Sequence, residues 1–195
     1  LALVEIIEYP DQRLRSASVP VVDFDAGIGG LVDDLVDTLH ASNAIALCAP
    51  QIDDGRQVLV MDLSGDRSRP EHYINPRILE RSQYGIVEES CLSVPGVVVN
   101  VLRATRVRVS AFDLAGSVFE RELAGLEAVC LQHEMDHFSG KLLVDRLNWF
   151  RRRRLKAVID RKRREIDGEN GSGVDALPQR LPSRAQGGDP PFARE

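Results

Sequence analysis

The sequence predicts an α+β fold: antiparallel or mixed strands packed around a central helix, with a basic helix at the carboxy-terminal end. Three observations carry that expectation. β-rich stretches are bunched between two helical stretches, without the strand–helix alternation that builds a parallel sheet. Both helical stretches repeat apolar residues at the helical period. Charge is also segregated, because the chain of 195 residues has a net charge of −5 while its segment 148–167 holds nine Lys or Arg against three acidic residues.

The first helix is marked by Ile28, Leu31, Val32, Leu35, Val36 and Leu39, with Asp25 as its cap and Gly27, Gly29 and Gly30 weakening its first turns. A loop follows. Gln57 to Asp62 reads as a buried strand, Ser64 to Pro70 as a turn, and Tyr73 to Glu80 as a stretch carrying Asn75-Pro76. Val97 to Val101 and Arg106 to Phe112 are β-rich; in the second, Val107, Val109 and Ala111 alternate with Arg106, Arg108 and Ser110, the pattern of a half-buried strand. Val118 to Leu123 is a further strand candidate. The central helix runs from about Leu126 to Phe138, with Gly140 in the C′ position. Residues 1–147 thus form the predicted catalytic domain, 148–167 the basic helix, and 168–195 a tail too rich in Gly, Pro, Ser and Arg to bury a core, which is expected to be disordered.

The central helix contains Gln132-His133-Glu134-Met135-Asp136-His137. Two imidazoles four residues apart lie one above the other on one helix face, within reach of a single first-row metal ion. Glu134 sits at the edge of that face, where a general base can reach a water on the ion without becoming a ligand. Leu126, Val129 and Cys130 precede His133 at helical intervals, so the ligand face continues into the buried one. This makes the central helix a metal-binding helix.

Two histidines leave a tetrahedral ion short of a protein ligand. Leu143 fills the slot where a metzincin would have its third His, and Glu165, the downstream carboxylate a thermolysin-like site would need, sits among Arg161, Lys162, Arg163 and Arg164 as a solvated helix-face residue. The better third ligand is Cys91, in Glu88-Glu89-Ser90-Cys91-Leu92-Ser93-Val94-Pro95-Gly96. One thiolate and two imidazoles would leave a divalent ion with a net charge of +1 and a fourth position open.

With these residues in place the chain resembles the peptide deformylases. The family signatures G-[IV]-G-L-A-A-P-Q, E-G-C-L-S and Q-H-E-x-D-H appear here as Ala44-Ile45-Ala46-Leu47-Cys48-Ala49-Pro50-Gln51, Glu89-Ser90-Cys91-Leu92-Ser93 and Gln132 to His137. Ala44, Ala46 and Ser90 stand where the family has glycine, and Cys48 where it has a small residue. If the glycine positions need positive φ, or if substrate backbone passes close by, these changes reshape the groove. Cys48 and Cys130 read as structural cysteines.

The resemblance implies a hydrolase in which a cation-activated water attacks the formyl carbonyl of an N-formylated nascent peptide, releasing formate. It implies Cys91, His133 and His137 as metal ligands and Glu134 as the proton shuttle. The side-chain amide of Gln51 and the backbone N–H of Leu92 would stabilise the oxyanion. It implies Fe(II) as the ion, and the thiolate ligand also suits zinc, nickel or cobalt. A basic carboxy-terminal helix in this family can dock on the ribosome, so Arg151 to Arg154 are either a ribosome contact or a solvated helix face. Two other readings stay open: a related metal amidase acting on another formylated substrate, supported by the altered first motif, and a catalytically idle ribosome-binding relative.

Composition places limits around this reading. A hydrophobic content of 43% over 195 residues suits one domain with appendages, and three cysteines without a disulfide pattern point to a reducing cytoplasm. Leu1 to Pro10 carries Glu5 and Glu8 and no basic n-region, unlike a secretory signal. No apolar run approaches the ~18 residues of a membrane span, so no membrane partner is expected.

Overall fold

The computed structural model describes residues 3–155 and 157–159. Helix α1 (Ala26–Ala41) starts where the Asp25 carboxylate accepts a hydrogen bond of 2.9 Å from the Gly27 N–H, occupying one of the donors that every helix start leaves without an internal partner. Ile28, Leu31, Val32, Leu35 and Leu39 form its buried stripe. Strands β1 (Ala46–Cys48), β2 (Val58–Met61), β3 (Glu71–Cys91), β4 (Val94–Phe112) and β5 (Val118–Ala124) follow, then helix α2 (Leu126–His137). The strands form one five-stranded sheet in sequential order, with each neighbouring pair antiparallel.

Strand β2 explains why Val-Leu-Val-Met is apolar at every position. Val58 and Val60 enter the core shared with α1, while Leu59 and Met61 enter the core shared with α2, so successive side chains bury on opposite faces of the sheet. Fully burying each such side chain contributes roughly 1.5–3 kcal/mol. The result is a sheet with α1 packed against one side and α2 against the other.

The β3–β4 hairpin is longer than the sequence pattern indicates. Its strands were expected to stop near Glu80 and to restart in two pieces, yet the ladder continues through Tyr84↔Ala104 and Glu88↔Asn100 to Ser90↔Val98. Polar residues and Gly85 in this stretch weaken intrinsic β-propensity, and burial of one face outweighs it: Glu89, Val99, Val101 and Arg103 point inward while Ile86 and Leu102 stay exposed. Pro76 falls at the register shift between Ile74 and Arg77, where its missing N–H does no harm. Beside it, the Asn75 side chain accepts from the Val21 N–H and donates to the Val21 carbonyl, both at 2.8 Å.

Helix α2 closes at Gly140, the C′ position that the sequence predicts. The Gly140 N–H donates to the His137 carbonyl at 2.9 Å and the Lys141 N–H to the Asp136 carbonyl at 3.0 Å, the paired bonds of a Schellman turn, with Gly140 at φ +65°. A Cβ there would clash with the Arg15 carbonyl oxygen.

The compact unit Leu1–Leu147 ends before Asn148. In the following unit, the described residues 149–155 and 157–159 are helical, and the Asn148 side chain accepts from the Arg151 N–H at 3.0 Å. The rest of the segment read as a basic helix, residues 160–167, and the tail 168–195 lie outside the described residues.

Gly140→Ala combines a disfavoured backbone angle with a backbone clash and should destabilise the fold by at least about 2 kcal/mol. A lowered denaturant midpoint with an unchanged m-value would register it.

Candidate metal centre

Helix α2 lies against β4, and one residue fastens it there. Past Ala124, strand β5 no longer pairs with β4, so the peptide groups of Ala104 need another partner. The buried Gln132 supplies both halves: its Nε2 donates to the Ala104 carbonyl at 2.7 Å, and its Oε1 accepts from the Ala104 N–H at 3.3 Å. A side-chain amide thus stands in for a strand, and the next residue, His133, is set in rotation and height.

Cys91, His133 and His137 present one ligand atom each, all within 4.8 Å of one another. The Cys91 Sγ is 3.4 Å from the His137 Nε2. Cys91 reaches this point because β3 ends there in the tight turn Leu92-Ser93 before Val94. Burial pushes His137 down to about 3, helped by the neighbouring His133, which keeps its imidazole neutral and its lone pair available. The site fits a cation with one soft and two borderline donors. Glu134, directly beside the ligands, is 4% exposed, and its Oε2 lacks a hydrogen-bond partner among the described residues. Burial raises its pKa above the ordinary carboxylate value, the direction that suits a proton shuttle near neutral pH.

His133 is held through its other nitrogen. Its Nδ1 lies 2.8 Å from the Glu89 Oε2, leaving Nε2 for the cation. Arg103 donates to both oxygens of Glu89, at 2.7 and 3.0 Å, and to the Asp136 Oδ2 at 2.8 Å; Arg146 reaches the same Asp136 oxygen at 3.0 Å. Burial opposes ionisation of Glu89, but hydrogen bonds from His133 and Arg103 outweigh it and hold its carboxyl at about 2. Burial likewise disfavours charge on His133, and contacts with Cys91 and Glu89 outweigh it and raise its pKa, so cation binding must displace a proton there.

Gln51 follows β1 in a short 3-10 helix, Ala49–Ile52, and is 2% exposed. Its Oε1 accepts from the Cys48 N–H at 3.0 Å and from the Cys48 thiol at 3.2 Å. Its Nε2 is therefore turned toward the Ser93 Oγ, at 3.2 Å, and the Cys91 Sγ, at 3.7 Å. The amino-terminal segment ties both loops down, since the Ile7 N–H donates to the Gln51 carbonyl and the Tyr9 N–H to the Ser93 carbonyl. Leu92 opens the turn after Cys91, its side chain packed on the α1 core.

The sequence-chosen residues Cys91, His133, Glu134, His137 and Gln51 thus meet in one buried pocket, with Leu92 adjoining it. The supporting residues Glu89, Arg103, Gln132 and Asp136 are not among the site candidates that the sequence offers. Three of these lie inside the quoted motifs, but Arg103 sits in an unremarkable strand and carried no signal. Cys48 is a fully buried member of the core shared with α2, in keeping with its structural reading; its thiol also contacts Gln51 and lies with Glu134 and His137 in a second group of ligand atoms within 4.8 Å of one another. Ala44, Ala46 and Ser90 all lie outside the left-handed region, so the backbone here does not require glycine at those places.

The chain matches the polypeptide deformylase family over residues 3–153. It is 41% identical over 165 residues to a peptide deformylase of Chromobacterium violaceum, covering 85% of this chain and 99% of the relative, and 44% identical over 166 residues to one of Cellvibrio japonicus, covering 83% and 96%. A crystal structure of a peptide deformylase from Legionella pneumophila superposes with a TM-score of 0.79 at 38% identity, covering 85% of this chain and 98% of that one. One from Ehrlichia chaffeensis in complex with actinonin also gives 0.79, at 32% identity over 84% of this chain and 99% of that one.

Arg103→Met leaves the Glu89 carboxylate buried without its guanidinium. Stability should fall by about 3 kcal/mol, and affinity for a divalent ion by about 10- to 100-fold as His133 loses its orientation. Chemical denaturation and competition dialysis against a chelator would measure the two losses.

Proposed function

The chain belongs to the peptide deformylase family, a family of metal-dependent hydrolases, and we propose that Cys91, His133 and His137 hold its cation while Glu134 and Gln51 carry the chemistry on the formyl group. The reaction removes the N-formyl group from the amino terminus of nascent polypeptides and releases formate. One observation supports this assignment of roles above the rest: a thiol from a strand end and two imidazoles from a helix converge within 4.8 Å beside a fully buried carboxylate.

A cation bound there supplies a Lewis acid that polarises the formyl oxygen and makes water acidic enough to ionise near neutral pH. Glu134 takes the proton of the attacking water. Its buried carboxyl has a raised pKa, so it can return that proton to the nitrogen of the departing amine as the C–N bond breaks. The Gln51 Nε2, set beside the Cys91 sulfur by two donors on its Oε1, supplies an N–H to the negative charge as it develops, and the N–H of Leu92 joins it. The peptide beyond the formyl group has strand edges to pair with: β1 is the first strand of the sheet, and β3 runs on past Ile74 without a partner from β2.

Fe(II) is the ion we propose, because a thiolate with two imidazoles suits a borderline-soft cation; zinc, nickel and cobalt satisfy the same donors. The cytoplasm is the proposed location. Nascent formylated chains emerge there, and three free, buried cysteines are consistent with it. Among the described residues no helix is long and apolar enough to cross a membrane. Arg151 to Arg154, all exposed, are proposed to contact ribosomal phosphates.

Glu134→Gln should bind the cation with unchanged stoichiometry while formate release from formyl-Met peptides drops by roughly 10²- to 10⁴-fold. Comparable turnover in the variant would remove Glu134 from the mechanism. Neutralising Arg151 to Arg154 should make ribosome co-sedimentation weaker and less steeply dependent on salt; unchanged co-sedimentation would dismiss the docking surface.

A further inference from the structure

Beyond helping to orient Gln51, the thiol of Cys48 has no role in the chemistry above, yet it is fully buried beside the residues proposed to carry it. Its Sγ lies with a Glu134 oxygen and a His137 ring nitrogen in a group spanning no more than 4.8 Å, and the other ligand triad pivots on the same His137. Both sulfurs also flank one amide, with Cys48 3.2 Å from the Gln51 Oε1 and Cys91 3.7 Å from its Nε2. The Glu134 Oε2 and His137 Nδ1 in this pocket are buried without hydrogen-bond partners among the described residues.

We propose that Cys48 is a conditional fourth protein ligand, which closes the centre around thiophilic cations such as zinc or cadmium. This rests on the assignment of Cys91, His133 and His137 as the primary ligands. Adding Cys48 turns a three-ligand set with one open position into Cys₂His₂, the closed set of structural zinc sites. Metal–sulfur and metal–nitrogen bonds of about 2.3 and 2.0 Å place tetrahedral ligand atoms about 3.5 Å apart. Cys48 groups with His137 and Glu134 and not with Cys91 and His133, so its sulfur must swing toward those two ligands for the shell to close. On coordination the Cys48 S–H bond breaks and a sulfur–metal bond forms; the proton leaves to the adjacent Glu134 carboxylate or to solvent, and no electron is transferred. The position that water and the formyl oxygen need is then taken. Ferrous iron, less drawn to a second thiolate than zinc or cadmium, leaves Cys48 bonded to Gln51 and the centre open.

Cobalt(II) is a direct probe, because thiolate-to-cobalt charge transfer in the near ultraviolet grows with the number of sulfur ligands. Metal-free wild type, Cys48→Ser, Cys48→Ala and Cys91→Ser would each be titrated with one equivalent of cobalt. We expect the wild-type band to be roughly twice as intense per bound cobalt as in either Cys48 variant, with ¹¹³Cd resonances of the cadmium forms moving upfield when Cys48 is replaced. The Ser variant keeps the side-chain volume, so a difference shared by both Cys48 variants reports ligation rather than packing. Equal bands and equal ¹¹³Cd positions in wild type and both Cys48 variants would overturn the proposal. A band that vanishes in the Cys48 variants but persists in Cys91→Ser would instead overturn the primary ligand set while leaving Cys48 as a ligand.

Discussion

The centre depends on the seating of one helix against one strand. α2 carries the two proposed ligands and the proposed base, but a helix free to rotate or slide by a fraction of a turn would carry them out of range of Cys91. Gln132 prevents this by closing two hydrogen bonds with the peptide of Ala104, where the sheet has run out of strands. Arg103, the preceding residue on the same strand, bonds Glu89 on β3 and Asp136 on α2 at once. Three elements that contribute to the site are therefore joined by two neighbouring positions of β4. The bonds to Ala104 and Glu89 are buried, where breaking one leaves a polar or charged group short of a partner at a cost well above the net worth of the bond itself.

Electrostatics follows from this seating. The same depth of burial acts in opposite directions on neighbouring groups, lowering His137 and raising Glu134, because each is pushed toward its neutral form. Glu89 escapes that push only because His133 and Arg103 both bond to it. Two neighbouring carboxylates thus divide between one held ionised beside His133 and one pushed toward its protonated form. What separates them is the company of an imidazole and a guanidinium.

The departures from the family signatures are of two kinds. Ala44, Ala46 and Ser90 adopt backbone angles open to any residue; the Ala46 methyl packs on the α2 core and that of Ala44 on the α1 core. They alter packing rather than chain direction. Cys48 is different because it places a sulfur donor beside the Gln51 amide.

Much of this was legible in the chain itself. His133, Glu134 and His137 are spaced by the pitch of a helix, and Val58 to Met61 declare a two-sided strand by being apolar throughout, since local geometry fixes both patterns. The resemblance of three short motifs then joined Cys91 and Gln51 to them across about half the sequence. The length of the β3–β4 ribbon, the part played by Arg103 and the placement of the Cys48 thiol were decided only by the tertiary structure. Each depends on contacts between residues far apart in the chain, where burial of one face or the need of a buried charge for a partner outweighs the weak preferences that local sequence expresses.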